Sequence, residues 1–208
     1  MKKWLALVVA ALLALSTMAA FADVTPSKTT EVKIDAEKIE TSTGTPVGDD
    51  FIVATPAEVP EKTEEVVKEL FDLTSKDDTP VITYFSEDTQ KTIAELLPEG
   101  TDLTSLEMSE IIALVIENYD ESYGDIAIVF HFETTAYDPD QSLVAMLGIY
   151  SAAEAANVEA EDGVEWFALA AEAVDNGDVK VTFTQDVLVK AEAADNCTLG
   201  ILNTPLAK

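Results

Sequence analysis

The sequence predicts a mainly β fold, an antiparallel sandwich-like sheet behind a short two-helix flank (α+β overall), and three features of the 208-residue chain carry that reading. Runs of β-branched and aromatic residues recur from residue 110 onward, the composition that suits a pleated, half-buried surface. Turn-forming clusters at 120–125, 138–141, 161–163 and 175–178 separate those runs at the spacing of an antiparallel sandwich. Strands and helices do not alternate, which argues against a doubly wound parallel sheet.

The domain plan follows from composition. Residues 1–22 form an export signal, 23–55 a flexible acidic and Thr-rich leader, 56–108 a two-helix segment packing on the sheet, and 109–208 the antiparallel β domain. Lys2 and Lys3 precede a continuous apolar run from Trp4 to Leu15, and Ala20-Phe21-Ala22 offers the small-x-small pattern of signal peptidase. Cleavage before Asp23 is expected, because no basic cluster follows to hold the segment as an anchor. A lipoprotein would need a cysteine at the cleavage site, and the single cysteine, Cys197, lies near the other end. The chain is therefore expected to be secreted or otherwise extracytoplasmic, without membrane association once the signal is removed.

In the leader, Val32 and Ile34 alternate with charges and Phe51-Ile52-Val53 is apolar, enough for one or two edge strands. Thr55-Pro56-Ala57-Glu58 reads as a capped helix start, followed by Val66, Val67, Leu70, Phe71 and Leu73 at helical spacing. A second helix is expected to begin near Ser86, with Glu87 and Asp88 at the positive end of its dipole. Its apolar side is Ile93, Leu96 and Leu97, and Pro98 with Gly100 stops it.

Residues 110–119 fit both a helical stripe and a strand, the strand fitting better because a Tyr-Gly-Asp turn follows. Ile126, Ile128, Phe130 and Phe132 alternate onto one face, and 142–150 is apolar on both, as a central strand should be. Asn176-Gly177 tolerates the positive φ of a tight turn. Val179, Val181 and Phe183 alternate behind it, so 164–174 should pair with that strand as a hairpin. A short helix near 185–193 and a sixth strand at 198–203 complete the plan.

Tyr84-Phe85-Ser86-Glu87, a helix, Leu96-Leu97-Pro98-Glu99-Gly100, then Glu117-Asn118-Tyr119 and Tyr123-Gly124-Asp125 before a β-rich tail resemble uncharacterised secreted acidic proteins of anaerobic Gram-positive bacteria. The resemblance covers about residues 80–203. It implies export and carries over no activity.

Charge narrows the function. The chain has 40 acidic residues against 12 lysines, no arginine, and a net charge of −28. Signal removal takes two lysines and no acid, leaving ten bases and a net charge near −30. Between Lys91 and Lys180 stand twenty Asp and Glu with His131 as the one other titratable base. Such a chain repels phosphate backbones, so nucleic acid is excluded as a partner, and it draws basic or cationic extracellular and cell-envelope partners. One cysteine cannot form an internal disulfide, so the fold must rest on its core. Cys197, entering an apolar run, reads as a buried inert thiol.

No catalytic residue and no cofactor-binding residue emerges. His131 is the sole histidine, without a Gly-x-Ser-x-Gly elbow or a His-Glu-x-x-His motif, and reads as a half-exposed strand residue. For calcium the weak metal candidates are Asp138, Asp140, Asp175 and Asp178, hard oxygen ligands in turns. Turn chemistry explains the same residues without a metal. The functional expectation is a non-enzymatic acidic binding or structural module. Its alternatives are an extracellular hydrolase using carboxylates and perhaps His131, or a calcium-stabilised cell-envelope domain.

Overall fold

The computed structural model describes residues 32–34, 39–56, 68, 70, 79–133, 135–150, 164–194 and 197–205. Residues 1–31, the turn at 161–163 and most of the first predicted helix lie outside the described residues, which include only Thr55, Pro56, Lys68 and Leu70 of that helix. Among those described, no helix is long and apolar enough to cross a membrane.

The β expectation is met. Among the described residues, nine strands form one antiparallel sheet: β1 (Val32–Ile34), β2 (Glu40–Thr41), β3 (Ile52–Ala54), β4 (Glu107–Glu117), β5 (Ile126–Phe132), β6 (Leu143–Tyr150), β7 (Val164–Ala173), β8 (Val179–Phe183) and β9 (Cys197–Asn203). Their order is β1-β5-β8-β7-β6-β9-β4-β3, with β2 also on β5. The sandwich character comes from one sheet curling so that its two halves face each other across a shared core. The stretch 110–119, legible two ways in sequence, is strand. Its alternating Ile112, Leu114 and Ile116 reach that core while Ile111 lies on the opposite face.

Two apolar clusters use the two faces. The inner one unites Ile126, Ile128, Phe130 and Phe132 of β5 with Leu143, Ala145 and Leu147 of β6, Val179, Val181 and Phe183 of β8, and Cys197, Leu199 and Ile201 of β9. Phe130 and Phe183 are wholly buried. Burying an aromatic of this size stabilises by about 1.5–3 kcal/mol before the cost of ordering it. The outer cluster gathers Val144, Met146, Val164 and Leu202 beneath Ile93 and Leu97. Ile93 belongs to α1 (Glu87–Leu96) and Leu97 is its C-cap; the N-cap is Ser86, its hydroxyl accepting from the Thr89 amide. Leu96, expected on the apolar side, is exposed. Ten residues offer one narrow stripe, and Ile93 with Leu97 fills it. A central strand buried on both faces is what β6 provides, its first seven residues all buried.

Within the stretch read as a leader, the edge strands expected around Val32–Ile34 and 51–53 form, and a third, β2, joins them. Residues 32–34 and 39–54 supply three short strands: β1 and β2 pair with β5, and β3 pairs with β4. Phe51 is buried against Tyr119 and Tyr123 in edge-to-face contacts. Only β2, a polar Glu-Thr pair, carried no sequence signal, because an edge strand needs backbone partners more than apolar side chains. The hairpin appears as expected: Asn176 and Gly177 both adopt positive φ, and β7 pairs with β8. α2 (Gln185–Glu192) then turns Val187, Leu188 and Ala191 onto the inner core.

Packing is tight where Gly148 of β6 faces Trp166 of β7. A Cβ at Gly148 would come within 2.8 Å of the Trp166 ring and 2.9 Å of Val164. Gly148→Ala is expected to destabilise the fold by about 1–3 kcal/mol, as overpacking of a filled site does. Urea unfolding checks this, and an unchanged midpoint would mean the indole can move aside.

Candidate functional site

Polar chemistry concentrates at one end of the curled sheet, where β4 and β9 pair through an irregular register. Met108 stands opposite Leu202 and Glu110 opposite Ile201, so Ser109 is an extra residue on β4. A bulge of this kind re-aims side chains that regular alternation would send to opposite faces. Ser109 and Glu110 both turn toward the loop 133–142, which covers this end of the core. Tyr137 drops from that loop onto Phe132, edge to face. Its main-chain N–H donates to Gly177 O at 3.1 Å, tying the loop to the hairpin turn.

The hydroxyl protons here can be followed one by one. Thr135 donates through Oγ1 to Glu110 Oε1. Ser109 Oγ donates to Ile201 O at 3.3 Å. The 2.7 Å contact between Ser109 Oγ and Tyr137 Oη then takes the tyrosine proton. Burial pushes the Tyr137 phenol above its usual range, the Ser109 contact opposes that shift, and the Glu110 charge adds to it. Glu110 itself is buried. Asn203, 6% exposed, donates through Nδ2 to Thr204 O, and its Oδ1 has no partner.

The residues singled out in sequence as calcium ligands are placed otherwise. Asp138 Oδ1 accepts from the Asp140 amide, and the Gln141 side chain accepts from the Asp138 amide, so this turn is held by its own side chains. Asp175 lies in the hairpin turn. Asp178, largely buried, meets His131 Nδ1 at 2.7 Å. Among the described residues, no group of three or more His, Cys, Asp or Glu is arranged to hold a metal ion.

The His131–Asp178 pair was not foreseen, since 47 positions separate the two residues. Half-exposed His131 lies on the outer face of β5, as alternation predicts, opposite Lys33 of β1. A carboxylate on Nδ1 orients an imidazole as it does in catalytic triads. Among the described residues, however, no hydroxyl or thiol bonds the other ring nitrogen, so the nucleophile such a triad needs is missing. Whereas the half-exposed His131 is on the outer face of its strand, Cys197 lies in the inner core. It is fully buried, and burial pushes its thiol up to about 12.

No known protein family, curated protein or solved structure matches the chain.

Two outcomes are expected. Cys197 should resist a thiol-specific disulfide reagent in the native state and react at once in denaturant. Because its folded pKa lies above the unfolded one, the thiol's contribution to stability is intact below about 9 and falls as pH rises toward about 12. Rapid native labelling at neutral pH would contradict the buried placement. His131→Ala should cost about 1–3 kcal/mol in chemical denaturation, because it strips the partner from a mostly buried carboxylate. Asp138→Ala, altering only an exposed turn, should cost less.

Proposed function

We propose that the chain is a secreted, strongly acidic, non-enzymatic module that binds a basic or cationic partner outside the cytoplasm. The observation that carries this reading is the disposition of the lysines. Lys33 pairs with Glu133, Lys91 with Asp88, Lys180 with Glu40 and Glu172, and Lys190 with Glu165. These four cations are already neutralised locally, so the charge left to attract a partner at a distance is negative. A potential of one sign steers oppositely charged molecules and repels anionic polymers.

A hydrolase is the second reading, favoured by the 2.7 Å contact between His131 and Asp178. Immobilised lysine-rich peptide and a glutamate-rich peptide of equal length separate the two. The binding module should be retained by the first alone, more weakly as salt rises from low to physiological strength. Equal retention on both, or ester, peptide or glycan turnover abolished by His131→Ala, would overturn the proposal.

Two further outcomes belong to it. N-terminal sequencing of exported protein should begin at Asp23; material retaining residues 1–22 in a membrane fraction would contradict export by cleavage. Sodium chloride should raise the melting temperature, since mutual repulsion is screened over about 8–10 Å near physiological ionic strength. A melting temperature independent of salt would mean that the carboxylates are too dispersed to repel.

A further inference from the structure

Among the described residues, the loop-covered end of the sheet lacks a donor for one buried acceptor. Thr135, Ser109, Tyr137 and the Asn203 amide each have an acceptor for their protons, and what remains is Asn203 Oδ1, buried without a partner. A buried amide oxygen left unmatched costs about 1–3 kcal/mol, so native proteins rarely tolerate one. Reversing the amide would not help, because its oxygen would then face Thr204 O.

Whatever satisfies this atom must be a donor or a cation, and the strand register favours a cation. Glu107 stands directly opposite Asn203 across the β4–β9 ladder. Glu110 stands opposite Ile201, which shares the inner face with Asn203 two residues along β9. Opposed side chains lie about 5 Å apart and diagonal ones about 7–8 Å, within reach of long acidic side chains. The register thus sets two carboxylates and a buried amide oxygen around one corner of the sheet. Backbone carbonyls and water can complete a shell there.

We propose that this corner binds a hard divalent cation, calcium by preference, through Glu107, Glu110 and the Oδ1 of Asn203. Calcium accepts irregular shells of carboxylate, amide and water oxygens, whereas magnesium demands a near-ideal octahedron. The ion would tie β4, β9 and, through Glu110 and Thr135, the covering loop into one unit. This site is independent of the basic-partner reading and distinct from the turns at 138–140 and 175–178.

The test uses the whole chain freed of metal by a chelator. Calcium chloride is titrated calorimetrically and by melting, with sodium and magnesium salts at matched ionic strength as controls. Binding of one calcium per chain is expected, with a calcium-specific rise in melting temperature. Affinity should fall tenfold or more in Glu110→Gln, which keeps the shape of the side chain and can still accept from Thr135. Asp138→Ala and Asp178→Ala should leave affinity unchanged. Should Glu110→Gln fail to fold, Asn203→Asp, adding a charge to the shell, should bind more tightly than the native chain. Absence of any calcium-specific effect on the folded native protein would overturn the proposal and leave an ordered water as the partner of Asn203. Calcium binding undiminished in Glu110→Gln, or lost in Asp138→Ala, would overturn it as well.

Discussion

An open antiparallel sheet ends in two rows of unpaired N–H and C=O groups, each a template for unwanted pairing. Here the six long strands run from β5 to β4, and those two ends must be dealt with before anything else in the fold is secure. One short segment deals with both. Residues 40 and 41 pair with the start of β5, and residues 52–54 pair with the end of β4. The segment 40–54 therefore bridges the seam of the curled sheet. Side chains hold it there: Tyr123 Oη accepts from the Gly48 amide, Asn118 donates to Asp50 O, and Ser42 Oγ accepts from the Asp125 amide. The loop 118–125, which joins β4 to β5, supplies all of these partners. The same connection thus turns the chain and anchors the strap across its seam.

Closing the sheet makes a chain with a single cysteine, and hence no internal disulfide, tenable. With every strand facing a common interior, residues from β4 to β9 can bury one face together, and the apolar contacts are long-range in sequence. The charge then becomes affordable in structural terms, because the carboxylates lie mainly on surfaces that the core does not need. Among the described residues the exceptions are Glu110, admitted by the bulge at Ser109, and Asp178, which meets His131.

Local patterns explain why so much of the sheet was readable. Period-two alternation in β5 and β8, the two-sided apolar run of β6, and the Asn176-Gly177 turn are all written within a few residues of themselves. The edge strands at Val32–Ile34 and Ile52–Ala54 were legible in part, but β2 and the bridging role of the strap were not, because the partners of these short strands lie 61–100 positions away. The bulge escaped for a related reason. A serine and a glutamate side by side in an apolar run look like one inward and one outward position, and only pairing with β9 reveals that alternation slips there. His131 was placed on its proper face by alternation, yet its partner Asp178 belongs to another strand's entry. The turn chemistry read at Asp138 is likewise local: its carboxylate accepts from the Asp140 amide two residues on, and the Gln141 side chain accepts from the Asp138 amide.

The two ends of the core are closed by different physics. At one end α2 lays Val187, Leu188 and Ala191 over Cys197 and Leu199, and the ring contacts of Phe51, Tyr119 and Tyr123 extend that cover. Apolar contact is non-directional and tolerates small displacements. At the other end the loop 133–142 is held through Thr135, Tyr137 and Gln141 by directional hydrogen bonds to Glu110, Ser109 and Thr204. Such a network is strong only while every member is satisfied, and losing one partner exposes the rest to the full cost of buried polarity. The loop-covered end is therefore where a bound ion, a lost proton or a single substitution would change the molecule most, while the α2 end would register the same perturbation as a small loss of packing.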